Sequence, residues 1–169
     1  VNSMSDLFQD GVPSEFVENI WDTMSNAHWH IFQILTKRPD NMERILREMS
    51  LPKLENVWLG TSVESWDYKL RIDQLRDVNA AVRFVSFEPL IGSVGDVSLK
   101  GIDWAIVGGE SGPGARPMDI DWVDEIKASC ERDSTSFFFK QWGGVNKKKT
   151  GREYQNRTWD EMPRQLKAV

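Results

Sequence analysis

Short apolar runs alternate along this chain with longer stretches in which apolar residues recur every three or four positions. The runs are residues 31–38 (IFQILTKR), 57–64 (VWLGTSVE), 82–89 (VRFVSFEP), 104–112 (WAIVGGESG) and 137–143 (FFFKQWG). Residues 1–6 (VNSMSD) start the chain in the same manner. Each run is apolar at first and turns polar or charged at its C-terminal end. Near-continuous apolar segments of this length predict parallel strands buried on both faces.

The stretches between them predict helices. Phe16, Val17, Ile20, Trp21 and Met24 form one stripe behind Pro13, and Met42, Ile45, Leu46 and Met49 form another behind Pro39. Residues 119–132 carry Ile120, Val123, Ile126 and Cys130 on one face, with Asp119 or Asp121 placed as a cap. Residues 64–77 carry a weaker stripe of Leu70, Ile72 and Leu75. Residues 86–99, with Pro89, Gly92 and Gly95, read as a loop, with or without one short helical turn.

Strand then helix, repeated, is how an α/β barrel or a doubly wound sheet is written. The predicted fold is a partial β/α barrel of about six parallel strands, of the TIM-barrel type. Residues 1–145 form that domain, and 146–169 form a polar C-terminal extension, a hairpin or a docked tail packed on the same domain. Val1 lies inside a strand-like run, so a piece of a longer chain is expected. Missing strands would leave an open sheet edge, which proteins avoid. The C-terminal tail, a second copy in a homodimer, or an earlier segment is expected to cover it.

Composition narrows the class. Of 169 residues, 40% are hydrophobic and 28% charged, as in ordinary globular domains. A formal net charge of −5 argues against a general nucleic-acid-binding surface, although a local basic patch survives it. Cys130 is the single cysteine, so neither an internal disulfide nor a cysteine-only metal site can form within the chain. That usage suits a reducing, cytoplasmic setting. No apolar stretch approaches a membrane span, and no signal peptide is visible.

If the strands are parallel, their C-terminal ends share one rim. That rim gathers Asn2, Ser3 and Asp6, then Thr36, Lys37 and Arg38, then Thr61, Ser62 and Glu64. Ser86 and Glu88, Glu110 and Ser111, and Lys140 and Gln141 complete it. Mixed charge around a cavity suits a polar, charged small molecule. Glu88 and Glu110 could act as general acid or base, or bind a ligand amine or ribose, and Lys37, Arg38 and Lys140 could neutralise a carboxylate or phosphate. The competing reading is that these charges only pair with one another at the mouth of a barrel. Proline after Glu88 and after Arg38 holds the preceding residue extended and fixes its direction.

Gly108 and Gly109 open the run GGESGPG after a strand, where glycine lets backbone N–H groups approach an anion or cofactor. The spacing is neither a dinucleotide fingerprint nor a P-loop, and a tight turn is the alternative. Arg116 could turn a guanidinium back to the rim. His28 and His30 precede a strand, on the stability side of such a fold, which argues against a metal role. Cys130 reads as core, Trp58 and Trp104 as buried, and Trp142 as core or as a stacking surface for a ligand.

The phrases VNSMSDLF, LTKRP, VWLGTSVE, RFVSFEPL, WAIVGGESGPGARPM and FFFKQWG, in this order, resemble a phage-associated family of unknown function, the gp-thirty-seven/gp-sixty-eight family, as does the closing TGREYQNRTWDEMP. That family is similar to radical S-adenosylmethionine (SAM) enzymes. The resemblance implies a radical-SAM-like barrel, with SAM and an iron–sulfur cluster held by three cysteines ahead of the point where this chain begins. None of those cysteines is in this sequence, and Phe87 stands where some relatives have cysteine after Ser86. The resemblance therefore implies the C-terminal portion, not expected to bind a cluster or make radicals by itself. It carries over Asp6, Lys37, Glu64, Glu88, Glu110 and Lys140, with Gly108 and Gly109, as SAM- or substrate-facing positions. The other expectation is a non-catalytic barrel module that binds a nucleotide-like or phosphate-like ligand.

Overall fold

The structure, a computed structural model, describes residues 5–163. Among them are five strands, β1 (Phe32–Thr36), β2 (Val57–Ser62), β3 (Val82–Phe87), β4 (Trp104–Gly108) and β5 (Ser136–Gln141). They form one sheet in the order β1-β2-β3-β4-β5, and every neighbouring pair is parallel. The expected sixth strand falls largely on residues 1–4, outside the described residues, and Ser5 and Asp6 are not in strand. The sheet thus has five described strands rather than about six, and it is open, not closed into a barrel.

Four helices accompany the strands: α1 (Ser14–Asn26), α2 (Pro39–Glu48), α3 (Leu70–Arg76) and α4 (Ile120–Asp133). Pro39 sits in the first turn of α2, where its missing N–H costs nothing. Of the two predicted caps for α4, Asp119 takes the position and accepts from the Asp121 amide, while Ser134 ends the helix in the left-handed conformation. The predicted helix over 64–77 is shorter. A 3-10 turn, Trp66–Tyr68, precedes α3, because the Trp66 amide is drawn to Ser93 O at 2.8 Å in the loop after β3.

Spatial order equals chain order, so crossovers of the usual hand place the helices on one side of the sheet. The packing agrees. One face of the strands, with Ile34, Leu59, Val85, Val107 and Phe139, shares a buried core with Trp21 of α1, Met42 of α2, Leu75 of α3 and Ile126 of α4. Each such side chain contributes about 1.5–3 kcal/mol on burial, so this layer holds the helices in place. The opposite face carries a second, smaller cluster: Trp58, Val82, Phe84 and Trp104, with Ile106 and Phe138 against it. Trp58 and Trp104 meet edge to face at 5.9 Å. Two apolar faces explain why the strands read as continuous apolar runs. Toward the C-terminal strand ends the helix-free face turns polar and charged, with Ser62, Ser86 and Lys140.

Beyond Gly144 the chain makes a short helix, α5 (Lys147–Thr150), and then returns along β5. The Phe139 amide donates to Trp159 O at 2.9 Å, and the Glu161 amide to Phe137 O at 3.3 Å, antiparallel to the strand. Within the tail Tyr154 and Arg157 pair in a tight antiparallel turn. The tail runs along the outer edge of β5. Among the described residues no helix is long and apolar enough to cross a membrane.

Candidate functional site

On the helix-free face, where the strands end, lies a cleft of about 670 Å³. Register explains what lines it. Side chains alternate across a strand, so Leu35 from β1 and Lys37 just past its end, Ser62 from β2, Phe84 and Ser86 from β3, and Lys140 from β5 all face this side. Ser62 and Ser86 are direct partners across β2 and β3.

Three ion pairs border the cleft. Lys37 Nζ lies 2.6 Å from Glu64 Oε1, Lys140 Nζ 2.7 Å from Glu88 Oε2, and Arg38 NH1 3.1 Å from Asp6 Oδ2. In each pair the carboxylate is the deeper partner. The Glu64 and Glu88 side chains are 6% and 18% exposed, whereas Lys37 and Lys140 are 59% and 54% exposed. A carboxylate drawn out of water needs a partner, and here each is paired with a cation on a more exposed side chain. Arg71 also donates to Glu64 Oε2 at 3.0 Å and to Ser62 O at 2.8 Å. The buried Glu64 Oε1, despite its proximity to Lys37, has no donor aligned to it as a hydrogen bond. The Lys37 contact is therefore an ion pair held by charge.

Asp6 has a further role. It accepts from the Phe8 and Lys37 amides at 3.0 and 3.2 Å and from Thr36 Oγ1 at 2.8 Å. These bonds staple the N-terminal segment to the end of β1, with Phe8 buried in the helix-side core. Asp6 positions Arg38 rather than presenting its own charge.

Glu110, Gly108 and Gly109 are placed differently from the common expectation for them. Glu110 turns to its own loop, where Arg116 donates from Nε and NH2 at 2.8 Å each and from its amide at 2.9 Å. Those bonds hold the Glu110 carboxyl well down, at about 2 against its ordinary 4.5. It does not line the cleft. Arg116 is spent on Glu110. A Cβ on Gly108 would lie 3.0 Å from Glu88 Oε2, so this glycine makes room for a rim carboxylate. A Cβ on Gly109 would lie 2.1 Å from Trp142 O, and one on Gly143 2.2 Å from Glu110 O. These two glycines allow the loops after β4 and β5 to touch backbone to backbone. Trp142 packs on Phe139 at 4.8 Å and donates its indole N–H to Glu153 O, so it belongs to the tail cluster and offers no stacking face to the cleft.

Asp6, Lys37, Glu64, Glu88 and Lys140 are thus brought together, and Glu110 and Gly109 are not. Sequence reasoning missed Arg71, whose pairing with Glu64 leaves no local mark in WDYKLR, and the apolar floor of Leu35, Phe84 and Ile106. Gly60 lies beneath that floor, and a Cβ there would meet the Phe84 ring at 2.5 Å. Chemically, Glu88 accepts from Lys140 and, at 3.3 Å, from Ser86 Oγ. This group can bind an anion or relay a proton.

Cys130 stands apart from the rim. It is buried on α4, and burial pushes its thiol up to about 12. Among the described residues no three His, Cys, Asp or Glu side chains are grouped to hold a metal ion.

The family model described as Protein of unknown function (DUF5131) matches residues 1–163. No curated protein matches the chain, and no solved structure matches it.

Proposed function

The chain belongs to the DUF5131 family, whose function is unknown, and we propose that it forms one wall of a β/α barrel that holds a polar, anionic small molecule at the C-terminal ends of its strands. The observation that carries this reading is the set of three ion pairs in which the carboxylate is the deeper partner, fully buried at Glu64, and the cation is half exposed. A lysine ammonium has three donors and a guanidinium five, and each pair uses only part of that capacity. An incoming anion can therefore bind without first breaking the pairs. Two features support the barrel: a sheet whose spatial order follows chain order throughout, and an aromatic layer on the helix-free face, where a barrel keeps its interior side chains.

The wider reading, a radical-SAM-type phage protein acting in the cytoplasm on an unknown substrate, rests on the sequence resemblance. A cluster needs three thiolates, whereas this chain offers one buried, strongly protonated thiol far up α4, so its own residues do not fit that group. No step is derived through it. SAM itself is a candidate ligand, since its carboxylate suits the rim cations.

Thermal melting with inorganic phosphate, nucleotides, sugar phosphates, SAM and S-adenosylhomocysteine tests the reading. A ligand at one hundred times its Kd adds about 2.7 kcal/mol of stability. We expect at least one of these anions to raise the melting temperature, and Lys140→Ala and Arg38→Ala to diminish the shift. A melting temperature that no anion moves would remove the proposal.

A further inference from the structure

We propose that the ligand of this cleft is a phosphate monoester, its phosphoryl group held between Lys37 and Lys140 above the hydroxyls of Ser62 and Ser86. This rests on the anion-binding reading above and names the chemistry of the anion.

The two lysines come from opposite edges of the sheet. Lys37 follows β1 and leans to Glu64, two residues past the end of β2. Lys140, in β5, leans to Glu88, the residue after β3. Strands β2 and β3 are neighbours, so both ammonium heads converge over adjacent strand ends. Beneath them Ser62 and Ser86 face the cleft as register partners, about 5 Å apart at the backbone.

Donor geometry selects among anions. A carboxylate is planar and is matched best by a guanidinium fork. Of the two guanidiniums near this point, Arg71 is engaged by Glu64 and Ser62 O, and Arg38, tied to Asp6 through NH1, follows the edge strand β1 rather than standing over the ends of β2 and β3. The groups that converge are two ammonium donors, the Ser62 hydroxyl, and Ser86 Oγ, which donates its proton to Glu88 and is left to accept; they are spread in three dimensions. Terminal oxygens on a tetrahedral phosphorus match such a set better than the two oxygens of a flat carboxylate do.

Charge agrees. Glu64 and Glu88 face three cations, Lys37, Lys140 and Arg71, which leaves one positive charge in excess. The floor of Leu35, Phe84 and Ile106 carries no charge. Bare phosphate would leave it uncovered, whereas the organic part of an ester would lie on it.

The chain titrated with inorganic phosphate, AMP, ribose 5-phosphate, adenosine and succinate, followed by calorimetry and by the phosphorus-31 resonance, tests this. We expect inorganic phosphate to bind with a shifted phosphorus line and at least one of the two esters to bind more tightly. Adenosine is expected to bind at least tenfold more weakly than AMP. Lys37→Ala and Lys140→Ala should each weaken binding about tenfold or more, with Arg44→Ala on the far side of α2 as an unchanged control. Where a lysine variant fails to fold, the phosphorus line of the parent chain and Ser86→Ala decide. Tighter binding of succinate than of any phosphate would overturn the phosphate inference and leave the anion reading standing. Equal binding of AMP and adenosine, with no phosphorus shift, would overturn the inference as well. Failure of every anion to bind would overturn both.

Discussion

A missing methyl group decides how the rim closes. At Gly109 a Cβ would stand 2.1 Å from the carbonyl oxygen of Trp142, and neither partner is a side chain that can swing away. Gly109→Ala should therefore cost about 3 kcal/mol or more, at the upper end of overpacking effects, read by urea denaturation. Gly60 is a gentler case, because its obstacle is the Phe84 ring. Gly60→Ala should lift that ring into the cleft, weakening ligand binding more than it lowers the melting temperature. Charge at the residue scale is read through Glu110. Hydrogen bonds from Arg116 hold its carboxyl at about 2 instead of 4.5. A depressed acid stabilises the fold above its unfolded value and loses that contribution as pH falls toward the folded one. The melting-temperature gap between the parent and Glu110→Gln should thus be constant above about pH 5 and close as pH drops toward 2. A gap that widens in acid would contradict the Arg116 pairing. None of these roles was legible beforehand. GGESG reads equally well as a ligand loop or as a turn, and which backbone a glycine lets in depends on a strand thirty residues away.

Elements were more legible than residues, for a physical reason. Strand and helix periodicity is written locally, so β1 to β5 and the stripes of α1, α2 and α4 follow from the sequence itself. The weak stripe of 64–77 gave a shorter helix because a tertiary bond to Ser93 O competes for its first turn. Pairing of the tail along β5 leaves no local mark, since it depends on Phe137 and Phe139 meeting Trp159 across a turn. That tail is a structural element in its own right. Trp159 sits 5.7 Å from the Phe137 ring, between the cations of Lys127 and Arg157, and its amide carbonyl closes the β5 edge. Trp159→Ala should cost about 3–5 kcal/mol, the range for deleting a buried large aromatic. Amide exchange at Phe139 should accelerate with it, because the backbone bond to Trp159 O loosens. A variant that loses stability while Phe139 stays protected would show that the edge is closed by other contacts. Cys130, buried on α4, should resist thiol reagents until the chain unfolds.

At the scale of the molecule, an acidic chain presents a cationic cleft. The net charge is −5, yet the rim turns its carboxylates inward and its ammonium groups outward. Such a field draws anions to one place and repels them elsewhere, and it weakens as salt shortens its reach. The rim as a whole was legible, because every apolar run ends in polar residues and parallel strands put those ends together. Its internal pairing was not. Lys37 with Glu64 and Lys140 with Glu88 join runs that are neighbours only after folding, whereas Glu110, written at the same strand end, is drawn away by Arg116 six residues on. The parallel arrangement makes a prediction that no single segment makes alone. Binding of AMP should slow amide exchange together in four short stretches, around residues 37, 63, 87 and 140, which are scattered through the sequence and share one rim. The helix layer formed by α1, α2 and α4 should exchange as before. Protection confined to one stretch, or appearing on the helix side, would mean that the strand tips do not act as a common site, since a ligand small enough for the cleft can touch these segments at once only if they converge.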